Sequence, residues 1–180
     1  MKEHALTARY STLAQALHWI IALTVLGMFV LGLSFDSVPR GTKTWWGNIH
    51  TVVGLVLFAL VLFRLFWRVG HKPPPLPEGT SDLVRISSTA MHHVLYLFMV
   101  VIPIIGIVAY VWHARVFDFG LFKLDFHVAN TKTIYEPAED LHKYLVFTLM
   151  GLVGVHFLAA LWHQFIKKDG LILRMLPGRD

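Results

Sequence analysis

The stretch His142-Lys-Tyr-Leu-Val-Phe-Thr-Leu-Met-Gly-Leu-Val-Gly-Val-His156 decides how the chain is read, and it stays apolar on to Trp162. At roughly 100° per residue, the fourteen steps between the histidines fall about 40° short of four full turns, so both rings share one helix face. A rise of ~1.5 Å per residue sets them about 21 Å apart along the axis. Two planar ligands stacked at two depths of a hydrocarbon layer about 30 Å thick fit that separation. The bland alternative is two unrelated polar residues on a membrane helix, but ionisable side chains inside such helices usually serve a function. Gly151 and Gly154, between the histidines, are expected to remove bulk where a flat ligand approaches.

Composition places that helix in a membrane protein. The 180 residues fit one domain, 1–180, and 56% of them are hydrophobic against 15% charged. This is outside the range of soluble domains. There is no cysteine, which excludes disulfides, thiolate-ligated metals and iron–sulfur clusters. The eleven histidines are the transition-metal ligands available in number. The first apolar run lacks a small-residue cleavage site and is expected to remain as a span.

Four spans are expected, at roughly 12–35, 47–67, 89–112 and 139–166. Trp45 and Trp46 precede the second, as an interfacial aromatic belt would. The connector 68–88 contains Lys72-Pro-Pro-Pro-Leu-Pro77, which reads as extended. Pro103 and Gly106 are expected to loosen the third span. Residues 113–140 show no clear periodicity and read as a mixed loop.

Four spans put both termini on one side. That side carries ten basic residues, from Lys2 and Arg9 to Arg174 and Arg179, against six on the other. The positive-inside rule makes it cytoplasmic. With five acidic residues inside and six outside, the net charge of +5 lies wholly inside, which removes the motive for nucleic-acid binding.

Topology then sets depth. His50 and His142 both stand near the outer starts of their helices, and His18 and His156 both lie toward the inner ends. Two cross-bundle histidine pairs at two depths are what two bis-histidine haems require, since bundles hold haem between facing helices. Two axial histidines close the iron, which favours electron transfer. A zinc site would need three or four ligands at one depth. A histidine-based ion transporter is the alternative from another class.

These elements resemble the bacterial cytochrome b-561 family, specifically its small stand-alone four-helix members. The matching residues are Ala16-Leu-His18-Trp19, Ile49-His50 with Arg64 fourteen on, and His92 leading to Tyr96 and Pro103-Ile-Ile-Gly106. They continue with His142, His156, His163 and Leu173-Arg174-Met175-Leu176-Pro177. The resemblance implies two haems b on His18, His50, His142 and His156, a bacterial inner-membrane location, and quinone as electron partner. One kind of member takes electrons from superoxide outside and gives them to ubiquinone inside.

Other residues are weighed beside these. Arg64 is expected to pair with a propionate of the inner haem, against a snorkelling role. His163, two turns past His156, is expected at the quinone site with Trp162 walling the slot, against the bland reading of an interfacial histidine, and His92 reads either as a further quinone-site residue or as an interfacial histidine. Lys143, Lys43 and Arg40 are outer cations, expected to attract an anionic donor or to pair a propionate, against the bland reading of solvated loop charges. His4, His71, His113 and His127 read as loop residues. The expectation is thus an all-α four-helix transmembrane bundle with haems between the helices. It moves electrons from a small periplasmic donor, superoxide foremost, to ubiquinone, with the lipid bilayer as surroundings and no protein partner required. The alternative within electron transfer is the haem b anchor subunit of a hydrogenase or dehydrogenase.

Overall fold

A computed structural model describes residues 9–77 and 79–176. Lys2, His4, Pro177 and Arg179, named above, lie outside the described residues. Four long helices make up the body: α1 (Thr12–Leu33), α2 (Lys43–Gly70), α3 (Asp82–Trp112) and α4 (Lys132–Trp162). Each is long and apolar enough to cross a membrane. In lipid every backbone N–H and C=O must be satisfied within its own segment, and the near-continuous Leu, Ile, Val and Phe content leaves helix as the outcome.

Local chemistry sets the helix ends. Ser11 caps α1 by accepting from the Ala14 N–H at 3.3 Å, and Ser81 caps α3 from Val84 at 3.4 Å. Asp82 adds a negative charge to the first turn of α3, where the helix dipole favours it. After α2, His71 turns extended, and Pro73, Pro74, Pro75 and Pro77 lack the N–H that a continuing helix would need. The helices are longer than the apolar windows. α3 begins at Asp82 rather than near 89, and α4 at Lys132 rather than near 139. Polar first turns can stay helical in the headgroup layer, where water is present.

α3 packs chiefly on α4, and α1 on α2. The buried cluster Leu95, Ile102 and Leu149 lies between α3 and α4, with Val25 of α1 against it. Large apolar residues such as Leu23, Val30, Phe66 and Phe157 point outward and are more than half exposed. That pattern suits a bundle whose solvent is lipid, where close packing and hydrogen bonds hold the helices together.

Between α3 and α4 the loop forms a short antiparallel hairpin, β1 (Phe117–Asp118) with β2 (Lys123–Leu124). Gly120 supplies the positive φ of 79° that its turn needs. Asn48 at the start of α2 fastens the hairpin, donating to the Asp118 carbonyl at 2.7 Å and accepting from its N–H at 3.0 Å. The Gly120 N–H and then Lys123 hold the Asp118 carboxyl below its ordinary range.

At the opposite end three segments meet. The Arg174 carbonyl accepts from the Tyr10 N–H at 3.2 Å and from Gln15 Nε2 at 3.2 Å. Trp19 Nε1 donates to the Met175 carbonyl at 2.8 Å, and Arg174 Nη1 donates to the Pro75 carbonyl at 2.7 Å. Gln15 and Arg174 are both buried by this knot.

Candidate functional site

Near the hairpin end of the bundle, α2 and α4 bring His50 and His142 together, with ring centres 6.2 Å apart and planes at 69°. Near the other end, α1 and α4 bring His18 and His156 to 6.5 Å and 72°. Two imidazoles on opposite axial positions of one metal, with metal–nitrogen bonds of ~2.0–2.1 Å, have ring centres roughly 6.3 Å apart. Both pairs stand close to that separation.

Nδ1 of His142 lies 3.0 Å from the Ile102 carbonyl. A carbonyl only accepts, so Nδ1 carries the proton and the Nε2 lone pair is left for a metal. Gly106, one turn past Ile102 on α3, makes this approach possible: a Cβ there would stand 3.1 Å from His142 Cε1 and Nδ1. A Cβ on Gly32 would stand 3.9 Å from His50 Cε1. At Gly151 and Gly154 a Cβ meets no protein atom within 4 Å. Gly106 on α3 is thus the glycine whose missing side chain lets a histidine ring approach, while the space beside Gly151 and Gly154 is open among the described residues. His50 Nδ1 is buried without a hydrogen-bond partner among the described residues, a condition native proteins relieve with a ligand, metal or water.

At the inner pair a third ring is close. His92 lies 5.4 Å from His156, inside the axial separation, and its Nδ1 donates to the Ser88 carbonyl at 2.6 Å. Arg64 is buried, 8% exposed, where α1, α2 and α3 meet. Its Nε donates to the Tyr96 hydroxyl at 3.0 Å and its Nη1 to the Ala14 carbonyl. Among the described residues no carboxylate pairs with it. A buried guanidinium with neutral partners alone is costly, and an anionic group nearby relieves the cost. Haem carries two propionates, so the donor set, the ring separations and the uncompensated arginine all fit that group.

His163 lies just beyond α4 in a π-helical turn, His163–Lys167, with its ring 5.1 Å from that of Trp162. Its Nδ1 bonds to Asp169, a residue that sequence reasoning passed over. Arg115 was passed over too: its Nη1 would stand 3.9 Å from a Cβ on Gly47, one turn before His50. No periodicity pointed to Arg115, which sits in the irregular loop after α3. Lys143 is exposed and paired with Asp140 at 3.5 Å. His113 pairs with Glu139 at 3.1 Å and stacks on Tyr135, His127 pairs with Asp125, and His71 stacks on Trp67.

A family model described as prokaryotic cytochrome b561 matches residues 9–178. Cytochrome b561 homolog 2 of Escherichia coli (strain K12) is 32% identical over 173 residues, 93% of this chain and 91% of the relative. Probable superoxide oxidase CybB of Yersinia pestis is 29% identical over 181 residues, 95% of this chain and 97% of the relative. Cytochrome b562 of Cereibacter sphaeroides is 27% identical over 183 residues, 94% of this chain and 96% of the relative. With four membrane-crossing helices and a match over nearly its whole length, the chain belongs to the prokaryotic cytochrome b561 family, as a b-type membrane cytochrome and oxidoreductase of electron transport.

Proposed function

We propose that the protein holds two haems b, one on His50 and His142 and one on His18 and His156. It passes electrons from superoxide on the periplasmic side to ubiquinone on the cytoplasmic side of a bacterial inner membrane. The observation that carries the reading is the pair of ring separations, 6.2 and 6.5 Å, at the two ends of one helix bundle. Bound there, the haems supply single-electron storage at two depths. The four histidines would hold the two haems, two to each, and would leave no open site on the metal for small oxygen species. Ile102 fixes the His142 tautomer, and Arg64 offsets propionate charge at the inner depth.

Superoxide as donor is supported by the printed name of the Yersinia relative and by the outer cations. Arg40 and Lys43 precede α2, and Arg115 lies over Gly47. A negatively charged donor is steered to such a surface. Ubiquinone as acceptor is supported by His163, which offers a ring nitrogen beside Trp162 near the bilayer surface, and His92 is a second polar group at that end. The whole chain, 1–180, acts as one membrane domain. Both termini are cytoplasmic, in keeping with the ten-to-six division of basic residues, and no protein partner is required.

The test is stopped-flow absorbance on purified, anaerobic, quinone-loaded protein. Superoxide should reduce both haems and ubiquinone-1 should reoxidise them. A haem content of one or none per chain would overturn the ligand assignment. Haems that superoxide never reduces would overturn the donor alone.

A further inference from the structure

The chain leaves α4 by an unusual route. Five residues, His163–Lys167, form a π-helical turn, and Lys168 then takes the left-handed conformation at φ 56°. Wide turns of this kind recur at functional sites, and few non-glycine residues adopt positive φ. The consequence is that the chain folds back on itself. The Asp169 N–H approaches the His163 carbonyl at 3.4 Å, and Asp169 Oδ2 accepts from His163 Nδ1. Asp169 Oδ1 in turn accepts from the Leu171 N–H at 3.3 Å, so both carboxylate oxygens are held. The two side chains are only 17% and 23% exposed. The cation of Lys167 does not compete for the carboxylate; it lies over the Trp162 ring at 5.0 Å.

We propose that Asp169 is the positioning residue for His163 in quinone reduction. This rests on the reading of His163 as the quinone-site histidine. The carboxylate accepts the Nδ1 proton and so fixes the tautomer that leaves Nε2 facing the substrate. It also balances the charge when Nε2 is protonated, the role a carboxylate plays behind any general acid–base histidine. Reducing a quinone to its quinol takes two electrons and two protons. A haem held at the inner pair would supply the electrons one at a time. His163 Nε2–H gives a proton to a carbonyl oxygen, forming an O–H bond and leaving a neutral ring still bonded to Asp169. Cytoplasmic water returns a proton to Nε2, and the second transfer follows by the same route.

The experiment compares His163→Ala, Asp169→Asn, Asp169→Ser, Asp169→Glu and the His163→Ala/Asp169→Asn double variant as full-length haem-loaded protein. Reoxidation by ubiquinone-1 is read by stopped flow over a range of quinone concentrations. Partners that orient a functional side chain typically contribute ~10–100-fold. Asp169→Asn and Asp169→Ser should slow reoxidation by that factor at saturating quinone with little change in half-saturation. Asp169→Glu should restore much of the rate, and the double variant should be no slower than His163→Ala. Haem content and the rate of haem reduction should stay as in the parent. If His163→Ala is slow and the Asp169 variants are as fast as the parent, the positioning role is wrong and the quinone reading of His163 stands. If His163→Ala reoxidises at the parental rate, that quinone reading fails and this role with it. Haem loss in both Asn and Ser variants, or additive losses in the double variant, would show a structural or independent role and overturn the proposal.

Discussion

Replacing Gly106 by Ala tests the outer pair through a residue that touches no haem ligand position of its own helix. The new methyl would stand 3.1 Å from Cε1 and Nδ1 of His142. Non-bonded carbons rest at ~3.5–4.0 Å, so the ring must retreat by roughly 0.4–0.9 Å. Ile102 lies on the same face of α3, one turn away, so withdrawal from α3 also stretches the 3.0 Å bond from Nδ1 to the Ile102 carbonyl. That bond contributes about 0.5–1.5 kcal/mol, and forcing a methyl into a filled contact costs about 1–3 kcal/mol. The better helix propensity of Ala returns at most ~1 kcal/mol. The net is roughly 0.5–3.5 kcal/mol against the outer site, or about 2- to 300-fold in haem retention. Pyridine haemochrome on purified protein, with a redox titration that separates the two haems, measures it. Gly27→Ala is the control, since a Cβ there meets nothing within 4 Å. Full outer-haem content with an unchanged midpoint potential in Gly106→Ala would refute the reasoning.

Three further outcomes are expected. His142→Ala should remove the outer haem and His156→Ala the inner one, each leaving one haem per chain by haemochrome assay. Arg64→Gln should lower the midpoint potential of the inner haem by about 60–130 mV, the equivalent of ~1.5–3 kcal/mol for a one-electron couple, because a buried cation favours the reduced form; an unchanged titration would separate Arg64 from the propionates. A reporter fused after Asp180 should be active only if it works in the cytoplasm, and activity of a strictly periplasmic reporter there would reverse the assignment of inner and outer sites.

The pairing of His50 with His142 and of His18 with His156 could be read from sequence because two simple periods decide it. Helical rotation sets the face, and alternating helix direction sets the depth. The all-α class followed from apolar windows that only helices can satisfy in lipid. The contacts that finish the site were less accessible. Gly106 matters because of which helix faces His142, and spacing within α4 says nothing about that. Asp169 depends on a π-helical turn and a left-handed Lys168, neither of which has a residue signature. The early starts of α3 and α4 escaped an apolar criterion because those first turns are polar.

The knot that joins the two ends of the chain bears on the order of synthesis. Gln15 and the Arg174 carbonyl that it bonds are separated by 159 positions, and Trp19 waits in the same way for Met175. A nascent chain can make all four helices while these donors still lack their partners, because residues 171–176 follow α4 in the chain. The contacts that tie α1 to the segment after α4 therefore form late. If His18 and His156 hold a haem as proposed, that interval would let a group of this size reach them before the knot closes. A chain stopped after Gly170 should still insert in the membrane yet lose its inner haem faster than the full chain, a difference that haem content after prolonged dialysis would record.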